Sequence, residues 1–140
     1  MDTSPRRLTE LTRMQSMRLL ASVPLGRIVF TRHALPAIRP VNHIVDGDDV
    51  IIRSHPGAAI VSAADRAVGV IVAYEADAIA SATRTGWSVI VTGTARLVHD
   101  LTDAARYEQV LQPWVTDDMS QLIRIHADIV TGYSLAALGA

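Results

Sequence analysis

Apolar residues recur along the first part of the chain at Leu8, Leu11, Met14, Met17 and Leu20. That three-residue spacing is helical, so residues 6–21 are expected to form an amphipathic helix that packs this stripe on a core and stops before Pro24. The period then changes. Residues 25–31, 37–45, 50–53, 67–74, 87–98 and 122–130 are rich in β-branched and aromatic side chains and read as six strands. Between them, residues 57–64 are small and apolar enough for a short helix, and residues 101–111 carry a helical pattern that ends at Pro113. Many short strands with few, peripheral helices imply a mainly β fold, a small barrel whose closure removes exposed edges. With 140 residues, no repeat and no linker, the chain reads as a single domain, 1–140.

The richest chemistry lies in the second and third strands. Arg39-Pro40-Val41-Asn42-His43-Ile44 is followed by Asp46-Gly47-Asp48-Asp49 and then by Val50-Ile51-Ile52-Arg53-Ser54. An Asp-Gly between β-rich runs signals a hairpin turn. Alternation puts Arg39, Val41 and His43 on one face and Pro40, Asn42 and Ile44 on the other. Proline inside the first run places it at a sheet edge or a bulge. Past the second strand, Arg53 offers a fork of donors, Ser54 adds a hydroxyl, and Gly57 lets a backbone approach closely, a combination able to hold a phosphate. A solvated strand end is the plainer reading of the same residues.

Composition removes several function classes. All 13 basic residues are arginine. Without lysine there is neither a pyridoxal phosphate imine nor a Walker-type phosphate loop. The absence of cysteine excludes disulfides, thiol catalysis and cysteine-bound metals. A net charge of −1 with scattered arginines does not suit nucleic acid. No apolar run reaches the length of a membrane helix, and the N-terminus lacks the apolar core of a signal peptide, so a cytoplasmic location is expected. His33, His43, His55, His99 and His126 fit no metal motif and are expected mostly on the surface, His55 being near enough to Arg53 and Ser54 to assist an anion site. No nucleophile elbow is present. Glu75 and Asp77 are expected at a solvated strand end before a polar loop at 81–85, and Asp117-Asp118 in a turn or helix cap.

Taken in order, Gly26-Arg27-Ile28-Val29-Phe30, Arg39-Pro40-Val41-Asn42, the Asp-Gly hairpin, Arg53-Ser54 with Gly57, and Gly86-Trp87-Ser88-Val89-Ile90-Val91-Thr92-Gly93 resemble the pyridoxamine 5′-phosphate oxidase-like family. The resemblance covers residues 8–135. It implies an FMN-binding split barrel with six or so antiparallel strands and an N-terminal helix. It further implies an FMN-dependent oxidoreductase, or in the same groove one that uses the deazaflavin F420, working as a homodimer with flavin at the interface. A flavin-binding carrier without turnover is the alternative from another class. By the same resemblance Arg39, Pro40, Val41 and Asn42 would line the flavin, Ile52, Arg53 and Ser54 would hold its phosphate, and Trp87 and Ser88 would reach a flavin across the interface. No side chain is assigned as acid or base. Two positions depart from the family pattern. Ala59 stands where relatives commonly carry a basic residue near the phosphate, and Ser134 stands where an arginine is expected, which argues against an authentic pyridoxamine phosphate oxidase. A small-molecule substrate and a nicotinamide electron donor are the partners this implies. The all-arginine set points to a GC-rich bacterial genome.

Overall fold

A computed structural model describes residues 4–115 and 118–139. Its elements are β1 (Arg7–Glu10), α1 (Arg13–Ala21), β2 (Leu25–Arg32), β3 (Leu35–Asp46), β4 (Asp49–Ser54), α2 (Ala59–Ala64), β5 (Val70–Ala80), β6 (Thr85–Leu97), α3 (Leu101–Val110) and β7 (Gln121–Ala136). The seven strands form one antiparallel sheet in the order β1-β7-β4-β3-β2-β5-β6, and β6 pairs back onto β7 to close it. This is the mainly β split barrel expected from the sequence, with one more strand.

The extra strand comes from the start of the expected helix. Residues 7–10 pair with the end of β7, Arg7 opposite Ala136 and Glu10 opposite Tyr133, and the Leu11 N–H donates to the Gly132 carbonyl. The helix begins only at Thr12. Its hydroxyl accepts from the Gln15 N–H while the Gln15 side chain accepts from the Thr12 N–H, a capping box that satisfies two otherwise orphaned donors. The stripe is therefore divided. Leu20 is fully buried and Met17 packs on the core, but Leu8 and Met14 are exposed.

β5 and β7 run past their expected ends, to Ala80 and Ala136, because both stay paired to β6 along its length. Glu75 and Asp77 thus lie inside a strand, and the loop is the turn at 81–84. In β7 the extra residue Asp128 makes a bulge opposite Thr92 and Gly93. Gly93 is required there, since a Cβ would overlap the His126 carbonyl. Of the acidic pair at 117–118, Asp117 lies outside the described residues, and Asp118 sits in the irregular segment before β7.

The barrel interior is filled by Ile28, Phe30, Val50, Ile52, Val72, Tyr74, Val89, Val91, Ile123 and Ile125, with Leu20 from α1 and Ile60 from α2 at its ends. A smaller cluster, Ile51, Leu122, Tyr107 and Leu111, lies between the outer face of β4–β7 and α3. β4 is consequently buried on both faces, which explains why its run Val50-Ile51-Ile52 shows no alternation.

β3 divides its pairing. Residues 35–42 pair with β2, whereas residues 43–46 pair with β4. Along 35–42 the second edge of β3 has no partner strand, so Pro40 sits on a local edge, as its missing N–H requires. Where β3 and the end of β4 part, a cleft opens.

Candidate functional site

The cleft is lined by Ile28, Phe30 and Arg32 of β2, Arg39, Pro40 and Val41 of β3, and Ile52, Arg53 and Ser54 of β4. The turn with His55 and Gly57, the start of α2 (Ala58 to Ile60) and Met119 complete it. Its volume is about 330 Å³, at the small end for ligand pockets. The walls divide by chemistry. Ile28, Phe30, Val41, Ile52 and Ile60 form an apolar floor, while Arg32, Arg39, Arg53, His55 and Ser54 supply donors, and among the described residues no carboxylate lines the cavity. Such a donor set fits an anion attached to an apolar body.

Ser54 is the most telling of these. As a residue it is only 7% exposed, and among the described residues its hydroxyl makes no hydrogen bond; since no buried side-chain polar atom among them lacks a partner, this oxygen opens onto the cleft that it lines. Arg39 is exposed and among the described residues bonds only the Ile38 carbonyl, at 2.8 Å, leaving most of its guanidinium donors available.

Arg53 differs from expectation. Its Nε donates to the Met119 carbonyl and its Nη1 to the Leu111 carbonyl, both at 2.8 Å. Leu111 caps α3, so this cation sits at a helix C-terminus, where positive charge is favoured. Arg53 therefore fastens α3 and the segment before β7 while also forming part of the cleft wall.

Of the nine residues singled out in the sequence, Arg39, Pro40, Val41, Ile52, Arg53 and Ser54 meet in this cavity, and Asn42, Trp87 and Ser88 do not. Asn42 has a long contact, 3.4 Å, to the Pro24 carbonyl. Trp87 is half-buried and packs against the main core. Ser88 lies on the outer face of the sheet opposite Asp77 and Tyr133. Sequence reasoning missed Arg32, Phe30, Ile60 and Met119. Ala59 does line the cleft, and Arg32 enters the same cavity from a different strand.

Beside the cleft lies a buried polar link. His43 is 3% exposed, against the expectation of a surface histidine. Its Nε2 hydrogen-bonds the Leu20 carbonyl at 2.8 Å and its Nδ1 pairs with the Tyr74 hydroxyl at 2.5 Å, so the neutral ring donates to Leu20 and accepts from Tyr74. The Tyr74 hydroxyl also reaches the Val41 carbonyl at 3.3 Å. Burial holds the His43 pKa below its ordinary value against the opposing pull of the Leu20 carbonyl, and burial pushes the Tyr74 phenol up, helped by the Glu75 charge. The link ties α1, β3 and β5 together behind Val41.

On the outer face, the register aligns Ile38, Val29, Ala73, Thr92 and Ile129 in one cross-strand row, next to Pro40, Arg27, Glu75, Ile90 and Thr131. Ile38, Ile90 and Ile129 are exposed on it. Burial and the nearby Asp77 raise the Glu75 pKa, with Arg27 at 3.4 Å pulling the other way.

The seven-stranded split barrel that carries this cleft is a fold shared with a flavin-binding protein. Residues 12–134 match the family described as pyridoxamine 5′-phosphate oxidase, and the chain belongs to that family. The uncharacterized protein Rv0080 of Mycobacterium tuberculosis is 51% identical over 138 residues, 96% of this chain and 90% of that one. A crystal structure from Corynebacterium glutamicum superposes with a TM-score of 0.77 at 30% identity, covering 98% of each chain. The FAD binding protein from Mycobacterium smegmatis does so with a TM-score of 0.74 at 35% identity, over 91% of this chain and 98% of that one.

Proposed function

We propose that the protein is a flavin-dependent oxidoreductase of the cytoplasm that holds the phosphate of its flavin in the β2–β3–β4 cleft and works as a homodimer on a small-molecule substrate. The observation that carries this reading is the cleft in which the unpartnered Ser54 hydroxyl shares the walls with four cationic or potentially cationic side chains and, among the described residues, no acid. Phe30, Val41 and Ile52 offer the apolar contact a ribityl chain and ring would need, and Arg39, Ser54 and Arg32 offer the charge-assisted bonds. Arg32 compensates for Ala59 by supplying from β2 the charge that relatives carry after the glycine. A flavin in this place would supply the redox chemistry, taking a hydride from a reduced nicotinamide or a substrate, while the chain binds, orients and excludes water.

The dimer reading rests on two features. The cavity is small, and Ile38, Ile90 and Ile129 lie exposed on the outer face, the face that also carries Ser88. A second copy on that face would cover it and bring Ser88 near the partner's cleft.

Titration with FMN and, in parallel, F420, followed by fluorescence and paired with the mass in solution, tests the reading. Binding of FMN at one per chain to a dimer is expected. Arg39→Ala and Ser54→Ala should each weaken it by about ten- to a hundredfold, the cost of one charge-assisted hydrogen bond. Arg39 is the better probe than Arg53, whose loss would also release α3. F420 bound in place of FMN would change the cofactor, tight flavin binding without turnover by any donor would favour a carrier, and binding of neither would refute the proposal.

A further inference from the structure

The outer face of the sheet carries a cluster of charge that neither the cleft nor the core uses. Glu75 and Asp77 stand two residues apart on β5, so their side chains leave the same face, and they lie within hydrogen-bonding reach of each other. Arg27, opposite Glu75 on β2, places its Nη1 3.4 Å from the Glu75 Oε1. Two carboxylates thus share one cation. Glu75 is half-buried although the face is open, whereas Asp77 and Arg27 are exposed.

The neighbours of this pair on the face are neutral or apolar. Along the row through Glu75, β6 and β7 supply Ile90 and Thr131. Along the row through Asp77 they supply Ser88 and Tyr133, with the acidic Glu10 of β1 beyond. Among the described residues, Arg27 is the one cation in these two rows. His126 lies two rows from Glu75, opposite Thr94, and is bonded to Asp49 at 2.8 Å. On the inward side of β5 the titratable neighbour is Tyr74, whose hydroxyl is taken up by His43 and the Val41 carbonyl.

Covering this face with a second copy would strip water from both carboxylates. A two-fold contact uses the same patch on each copy, so each would bring its acid pair and a single Arg27. One carboxylate per chain would then lack a counter-charge, and a desolvated carboxylate beside another takes a proton. Even in the single chain, burial and then Asp77 raise the Glu75 pKa against the pull of Arg27. A shared proton would turn a repulsive pair into a charge-assisted hydrogen bond between the carboxyls.

We propose that Glu75 and Asp77 form a proton-binding pair inside the surface that docks a second copy of this chain, so that association takes up protons and strengthens as the pH falls. The inference rests on the dimer reading above. A dimer that binds more protons than two separate chains is favoured by acid, and one proton per chain would change its dissociation constant by up to about a hundredfold per pH unit.

Sedimentation of the full chain over a concentration series at pH 8, 7 and 6 tests this, with Asp77→Asn and Glu108→Gln beside the wild type. Glu108 is an exposed carboxylate on α3, outside the acid pair and its rows. The wild-type dissociation constant is expected to fall at least about tenfold from pH 8 to pH 6. Asp77→Asn keeps the Arg27–Glu75 pair and removes the excess charge, so it should dimerise at pH 8 as tightly as the wild type does at pH 6, with no further tightening in acid. Glu108→Gln should keep the wild-type pH dependence. A dissociation constant that stays level or rises as the pH falls would overturn the proton uptake and leave the dimer reading standing. A slope that persists in Asp77→Asn would overturn it as well and move the titration to another group such as His126. A chain that stays monomeric at every pH would overturn the dimer reading along with the proposal, while FMN binding to the cleft is read by its own titration.

Discussion

Replacing Tyr74 by Phe removes one oxygen from the centre of the protein and tests the buried link behind the cleft. The ring stays, so its fully buried packing is conserved. What is lost is the 2.5 Å bond to His43 Nδ1 and the longer one to the Val41 carbonyl, leaving a buried imidazole acceptor without a donor. An unsatisfied buried acceptor costs roughly 1–3 kcal/mol, here taken as about 2 kcal/mol. Unfolding entropy near 60 °C is about 2.1 cal/mol/K per residue. For 140 residues a loss of that size lowers Tm by roughly 7 °C. The pH profile carries a second signature. Because the folded-state pKa of His43 lies below 6.5, the unfolded chain takes up the proton first as pH falls. Stability from keeping His43 neutral is complete above that pH and is lost below it, down to the folded pKa, at no more than about 1.4 kcal/mol per pH unit. Without the Tyr74 donor the neutral ring loses a partner, its pKa rises, and the loss below pH 6.5 becomes shallower. Thermal melts of both proteins between pH 5 and 8, followed by circular dichroism, measure both effects. An unchanged Tm together with an unchanged pH dependence would refute the link as described.

Gly26→Ala should destabilise by about 1–3 kcal/mol, since its Cβ would fall 2.5–2.6 Å from three atoms of the immobile Tyr74 ring; denaturant unfolding reads the loss. Ala34→Gly should do the opposite and raise Tm, because glycine relieves the strain at φ +62° by more than its chain entropy costs, for a net gain of up to about 1 kcal/mol. Tyr107→Phe should raise the Asp46 pKa, which the Tyr107 hydroxyl at 2.5 Å holds down ahead of Arg106, and carboxyl carbon shifts in an NMR titration would show it.

The parts of the cleft that lie close together in sequence were legible in it. Arg39 to Val41 and Ile52 to Ser54 are on the two arms of one hairpin, and its Asp-Gly turn is enough to bring both to the end where those arms part. Arg32 was not legible, because only the β2–β3 pairing and the unpaired edge of β3 place it over the same cavity. The Arg53 bonds were hidden for a similar reason, as their partners Leu111 and Met119 are 58 and 66 residues away. Leu8 and Leu11 misled for another. Spacing of three suits a helix, but the four residues of β1 belong to a sheet edge set by the tail of β7, and nothing local records that. Alternation put His43 on one face with Arg39 and Val41 but did not show that face to be inward, and its burial depends on Tyr74 and Leu20, which arrive from other elements.

The two bonds of Arg53 also bear on how such a site changes over generations. A lineage that stopped using the cleft would be free to replace Arg32 and Arg39, whose guanidinium groups hold little else among the described residues, but it would still be held to arginine at 53 by the end of α3. Retention of Arg53 in a relative is therefore evidence of the scaffold alone, whereas joint retention of Arg32, Arg39 and Ser54 is evidence that the ligand is still being selected.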